Sequence, residues 1–371
     1  MTQDANPHPS DKDASRLNLF DHLRLLAALS VFITHEFGVR REPDPAPWLS
    51  IGLWGAWGVN IFFAISGYLN TLSLLSSRSL RVFLISRAAR IYPALIACIL
   101  MTVLIGSFLT TKPHAYWSAQ TFEYLWHDST IFMGGREFLP GLFDNNPVKG
   151  TNASLWTLAI EARFYIYLAI GLLLTRFNRW PIVATFAIFV AYLLTIGPHV
   201  TLASGAPSWR LGLIFVAGSA MAACQRLWGL RAGVLTFSAF ALALALVGQG
   251  EAAFFLATAI VSIVVGQLRV SERFRPPLDI SYGFYLYAFP MQQIMVALKL
   301  PFLAGSLLAL LAAGAAAILS ALFVERPAIR AAAVVKRWIV SLEPIQIFHS
   351  GGPAKGAVEY SGARVRDPEP L

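Results

Sequence analysis

Charge is scarce in this sequence. Only 13% of its 371 residues are Asp, Glu, Lys or Arg, about half the share of a soluble globular protein, while 56% are apolar. That balance excludes a string of soluble domains and points to one integral membrane bundle. Cysteine is nearly absent. Cys98 and Cys224 lie in apolar runs with no CxxC or Cys/His ligand spacing, so neither a disulfide framework nor a structural zinc site is expected. There is no HExxH, so His114 and His127 read as ordinary loop histidines and no metal is expected. GxGxxG and GxxxxGK[ST] are missing, which disfavours a soluble nucleotide enzyme, and no GxSxG elbow presents a serine. Residues 1–15 lack a short apolar core with a small-residue cleavage site. They read as a disordered cytoplasmic tail, not a removable signal peptide.

Long apolar stretches dominate what remains. Hydropathy predicts about ten spans, over 17–38, 52–74, 91–109, 154–175, 180–197, 209–225, 231–248, 252–268, 280–298 and 303–323. The expected fold is all-α, a polytopic transmembrane bundle over 16–330 that lies in the lipid bilayer. A polar cytoplasmic tail is expected over 331–371. The formal charge of +9 does not indicate nucleic acid, because the basic residues sit at span ends and form no single patch. With the N-terminus inside, 20 basic residues fall on inner ends and tails against 7 outside, so both termini are expected in the cytoplasm.

Within this hydrocarbon-compatible frame a few polar residues stand out. The stretch Phe20 to His35 carries Arg24 near its start and His35 near its end. Eleven positions at about 100° each make three turns plus about 20°, so the two share a helix face about 16 Å apart. Ionisable residues at such depth are functional candidates, although snorkelling for Arg24 and a satisfied core histidine are the plain alternatives. In the second span Asn60 and Gly67 share a face, and Gly67 allows a neighbouring backbone to approach closely. The run Arg87-Ala88-Ala89-Arg90-Ile91-Tyr92-Pro93 places two arginines three apart, either as positive-inside anchors or as a fork for phosphate, with Pro93 in the first turn of the third span. Glu161 lies about two turns into the fourth span, where a carboxylate is costly unless paired or protonated. It is placed to orient His35, pair with Arg163 or hold a substrate hydroxyl, although Arg163, two along the same helix, does not face it directly. Trp156 is either an interfacial anchor or a stacking surface. The loop 110–153 is too aromatic for a linker and is expected to fold as an extracytoplasmic cap.

In this order the segments resemble the acyltransferase 3 family of multi-spanning bacterial membrane proteins. The resemblance rests on Phe20-Asp21 and the Arg24-x10-His35 pattern, then Gly58-Val59-Asn60-Ile61-Phe62-Phe63 with Ser66-Gly67-Tyr68. Next come Arg87 to Pro93, Trp156 to Tyr165 with Glu161, Ser281 to Tyr287 with Tyr285, and Glu325-Arg326-Pro327. Many relatives carry an acid where Asn60 stands and a histidine near Ala288-Phe289-Pro290, and this chain departs at both places. Some relatives append an extracytoplasmic hydrolase-like domain, and none is read here.

The resemblance implies a bacterial inner-membrane enzyme that transfers an acyl group, most often acetyl, from acyl-CoA to a hydroxyl of a cell-envelope or exported carbohydrate or glycolipid. Acetyl-CoA is then a substrate, and no permanently bound cofactor is expected. His35 is the expected base, since its unperturbed pKa lies near neutrality. Glu161 joins it as a catalytic residue. Arg24, Arg87, Arg90 and Tyr92 are expected at the acyl-CoA. Asp21, Asn60, Ser66, Trp156, Tyr285 and Glu325 are expected to support the site or the acceptor. With no serine elbow and no activated cysteine, direct attack by the acceptor is expected. The rival class is a transporter or flippase of a sugar-lipid, disfavoured by the lack of an evident repeated half. The other alternative is acyl or succinyl transfer to a periplasmic glucan or a small exported metabolite.

Overall fold

The computed structural model describes residues 18–44, 48, 51–131, 138–196, 207–269, 271–274 and 276–342. The tail expected over 1–15, and Phe132 and Arg136 of the long loop, lie outside these residues. The described chain is helical, and its one antiparallel bridge joins Asn18 to Arg269. In order the helices are α1 (Phe20–Arg40), α2 (Ile51–Ser77), α3 (Leu80–Leu109), α4 (Pro113–Tyr116), α5 (Ala119–Thr130), α6 (Leu155–Leu174), α7 (Trp180–Ile196), α8 (Pro207–Trp228), α9 (Leu230–Leu246), α10 (Gly250–Gly266), α11 (Ser281–Ala297), α12 (Phe302–Ser320) and α13 (Arg326–Leu342). Each of the ten expected spans coincides with a helix.

Among the described residues, five helical runs are long and apolar enough to cross a membrane: Trp54–Ser77, Leu80–Leu109, Leu155–Leu174, Ser208–Trp228 and Phe302–Ser341. The helices α7, α9 and α10 are apolar but shorter. Helix α1 carries Asp21, Arg24, Glu36 and Arg40, which dilute its hydropathy.

Two boundaries differ from expectation. The third span begins at Leu80, not near 91, so Arg87, Arg90 and Tyr92 ride inside α3 and Pro93 is interior to it. Ser79 caps the helix by accepting from the Val82 amide. A good cap and an unbroken apolar run outweigh the proline's missing donor. The second difference is at the C-terminal end. The expected tail from 331 opens as the helix α13, which continues from α12 through a π turn at Ala321–Glu325 and packs against α3. Its sequence puts Arg330, Lys336 and Arg337 beside apolar residues at helical spacing, an amphipathic pattern that a polar-tail reading overlooks.

Helix α2 is the spine. It packs most closely against α8 and α1, because glycines remove the side chain where backbones cross. A Cβ on Gly67 would collide with the Phe215 carbonyl, and one on Gly218 with the Ala64 carbonyl. The close approach expected of Gly67 is therefore met. A Cβ on Gly58 would likewise run into the Ala27 carbonyl of α1. The described part of the long loop is packed: Tyr116 and Tyr124 are buried and α5 lies on α3. Its return limb is pinned to α11. Asn146 Nδ2 donates to the Gln293 carbonyl (2.9 Å), and Asn152 Nδ2 donates to the Leu286 carbonyl (3.0 Å). That pinning fixes where α6 starts.

Candidate active site

A solvent-open cavity lies between α1, α2, α3, α6 and α11. Two helical pairs face each other across it. On α2, Ser66 and Asn70 stand four apart; on α6, Glu161 and Tyr165 do the same, so each pair occupies one helix face. Ser66 Oγ donates to Glu161 Oε1 at 2.5 Å, and Tyr165 Oη donates to the same oxygen at 2.5 Å. Ser66 Oγ and Tyr165 Oη are 2.8 Å apart, and Asn70 Nδ2 donates to Ser66 Oγ at 3.0 Å. The cluster thus meets the cost of a carboxylate between apolar helices with two hydroxyl partners, one of them held in turn by the Asn70 amide.

The arginines divide. Arg90 is tied to Asp279, which precedes α11, and reaches Glu325 of the π turn at 3.6 Å. Ser320 Oγ donates to Glu325 (3.3 Å), and Ser281 Oγ donates to Asp279 (2.6 Å). Burial pushes the Asp279 carboxyl up, but the Arg90 and Arg24 guanidinium groups and the Ser281 hydrogen bonds together outweigh this and hold it below its ordinary range. Arg24 pairs with Asp21 at 3.3 Å. Arg87 meets no carboxylate among the described residues. It stacks over Phe83 at 5.9 Å, and its Nε is buried without a partner. All three arginines line the cavity, but Arg87 is the one whose charge is not already paired.

Tyr285 completes one wall. Its hydroxyl is 2.7 Å from Thr157 Oγ1 and donates to the Ser154 carbonyl at 3.1 Å. Phe62 meets its ring edge to face at 5.5 Å.

Several expected site residues lie elsewhere. His35 is not among the residues lining the cavity. Its ring sits edge-on to Phe289 of α11 at 5.2 Å, and Nδ1 is buried without a partner. The expectation that Arg24 and His35 open onto one space is therefore corrected. They share a helix face, but α11 packs along it, so the lower turn meets the cavity and the upper turn meets Phe289. Nor does Glu161 orient His35 or pair with Arg163, which is exposed; Ser66 and Tyr165 take its carboxylate. Asn60 is fully buried, with neither polar atom partnered, and does not line the cavity. Trp156 is 43% exposed, an outward position that suits an interfacial anchor. Tyr92 is half-buried and also outside the lining.

Tyr165, Asn70, Thr157 and Asp279 carry parts of the site that residue-by-residue reading did not single out. For Tyr165 a signal existed, since it stands four residues after Glu161 on the same helix. Asp279 is 189 residues from Arg90, and no local pattern announces that pair.

The profile of an acyltransferase domain family, Acyl_transf_3, matches residues 17–326. The chain belongs to the acyltransferase 3 family. The matched stretch contains every residue of the cavity, and the enzyme is an acyltransferase. The chain is 28% identical over 297 residues to an O-acetyl transferase of Shigella phage Sf6, covering 75% of this chain and 86% of that one. It is 31% identical over 199 residues to Nodulation protein 10 of Rhizobium leguminosarum bv. viciae, covering 50% of this chain and 52% of that one. It is 30% identical over 196 residues to the O-acetyltransferase OatA of Staphylococcus aureus, of which it covers 28%. No solved structure matches the chain.

Proposed function

We propose that this family member is a membrane O-acetyltransferase. In this reading it takes acetyl from acetyl-CoA on the cytoplasmic side and places it on a hydroxyl of a cell-envelope or exported carbohydrate. The relatives named as O-acetyl transferases favour acetyl as the group moved. The observation that carries the reading is the cavity itself. One space holds an unpaired guanidinium, Arg87, and a carboxylate already hydrogen-bonded to two hydroxyls, Glu161.

The donor is anionic at its nucleotide end and neutral at its thioester. Arg87 suits the phosphates, since a guanidinium offers several fixed donors to phosphate oxygens. Arg90 and Arg24 frame that position without being free for it. Glu161 is assigned as the base of the cavity, because a neutral alcohol needs proton removal to attack a thioester. His35 stands beside Phe289, one helical turn along α11 from Tyr285, outside the cavity, and is assigned a supporting role in acceptor transfer through α11. The accompanying topology has ten spans with both termini in the cytoplasm, in a bacterial inner membrane.

The test is chemical. Envelope and secreted glycans from cells with and without the protein are compared by mass spectrometry, alongside acetyl-CoA consumption by the purified full chain. Loss of acetyl esters in the cells lacking it, with no rescue by Glu161→Gln, is the expected result. Unchanged glycan acetylation together with no donor turnover overturns the reading.

A further inference from the structure

Ser66 is placed as a nucleophile. Its Oγ lines the cavity, donates to a carboxylate and accepts from an amide, while Glu161 is held in turn by Tyr165. A hydroxyl on a base that a third group orients is the arrangement that activates alcohols for covalent catalysis. Here three oxygens, Ser66 Oγ, Tyr165 Oη and Glu161 Oε1, lie within 2.5–2.8 Å of one another. Two hydroxyl protons serve three contacts, so with Glu161 ionised one contact always lacks a proton. The Ser66 hydroxyl thus has a hydrogen-bonded path for its proton to the Glu161 carboxylate. Arg87, the guanidinium assigned above to the donor, lines the same space. His35, the group expected to activate an acceptor directly, is outside that lining.

We infer that acyl transfer proceeds in two steps through an ester on Ser66, an inference that rests on the acyl-CoA reading above. In the first step Glu161 takes the Ser66 proton as Oγ attacks the thioester carbonyl. A C–O bond forms, the C–S bond breaks, and Glu161 returns the proton to the departing thiolate, which leaves as free coenzyme A. In the second step the acceptor hydroxyl attacks the Ser66 ester. Its proton passes to Glu161 and on to Ser66 Oγ as that oxygen leaves, so the new ester is on the acceptor and the enzyme is restored. Splitting the transfer separates the donor from the acceptor in time, so one cavity need not hold both at once.

The full chain, reconstituted in nanodiscs, is incubated with radiolabelled acetyl-CoA without acceptor, quenched in acid and mapped by peptide mass spectrometry. The wild type is expected to carry one acetyl group on the peptide containing Ser66, and added acceptor is expected to discharge it. Ser66→Ala is expected to lose the label and at least ~100-fold of transfer. Ser66→Cys keeps the site's shape and is expected to carry the label as a thioester, cleaved by neutral hydroxylamine where the serine ester resists it. Label moving with the side-chain chemistry cannot arise from a misfolded variant. An unlabelled wild type that still transfers acetyl, or a Ser66→Ala protein that retains transfer, overturns the covalent step while leaving the acyltransferase reading intact. A wild type that never consumes acetyl-CoA overturns the donor assignment instead.

Discussion

At the scale of single residues, the site is defined by which charges are already spent. Arg90 is closed by Asp279 and Glu325, whereas Arg87 is open. Substituting them should therefore do different things. Arg87→Ala is expected to raise KM for acetyl-CoA at nearly unchanged thermal stability. Arg90→Ala is expected to destabilise by about 3–5 kcal/mol, because it strands the buried Glu325 and part-buried Asp279 carboxylates. Adding Asp279→Asn to Arg90→Ala should recover part of that loss, which a double-mutant cycle in detergent would measure. His35 gives a second test. His35→Ala is expected to bind donor with wild-type affinity and to lose transfer to the acceptor. Full transfer by a folded His35→Ala protein would remove this residue from the mechanism.

At the scale of helices, position is set by missing side chains and by one ion pair at a helix entrance. Gly67 and Gly218 let α2 and α8 touch backbone to backbone, and Ser66 is the next residue along α2. Gly67→Ala is expected to cost about 1–3 kcal/mol of stability by overpacking. It should also lower transfer, since pushing α2 from α8 shifts Ser66 against Glu161; thermal unfolding and turnover measured together would show both. Asp279 sets the entrance of α11. Its carboxyl titrates below its ordinary range when folded, so its contribution is complete above the usual carboxylate pKa of about 3.9 and fades as the pH falls through the lower folded value. The stability gap between wild type and Asp279→Asn should accordingly be constant at neutral pH and narrow in strong acid. A gap that does not change with pH would mean the carboxylate is not what matters there.

At the scale of the whole molecule, the proposed topology brings a cytoplasmic donor to a cavity sunk between helices. In that proposal, drawn from the basic-residue bias, both termini and the α6–α7 connection share one side and residues 110–153 face the other. Single cysteines placed in a background lacking Cys98 and Cys224 would test it. Positions 178 and 229 should react with an impermeant thiol reagent only after the inner face is opened, and position 145 should react in intact cells. The reverse pattern would invert the topology and strand the donor site on the wrong side.

The chain alone located the long apolar helices, because hydrocarbon demands long apolar segments and leaves each polar exception conspicuous, while the helices of the long loop and α13 went unread. Arg24, Arg87, Arg90, Glu161 and Tyr285 were conspicuous in that way, and all of them line the cavity. The chain did not determine partners. Helical periodicity fixes which residues share a face, but not how far a neighbouring helix covers that face. Packing of α11 put Phe289, not the cavity, against His35. Folding likewise gave Arg90 to a carboxylate 189 residues away and set Ser66 on Glu161 across 95. Contacts of that length belong to how helices cross, and the crossings here are decided by glycines and by one pinned loop acting at a distance from the site.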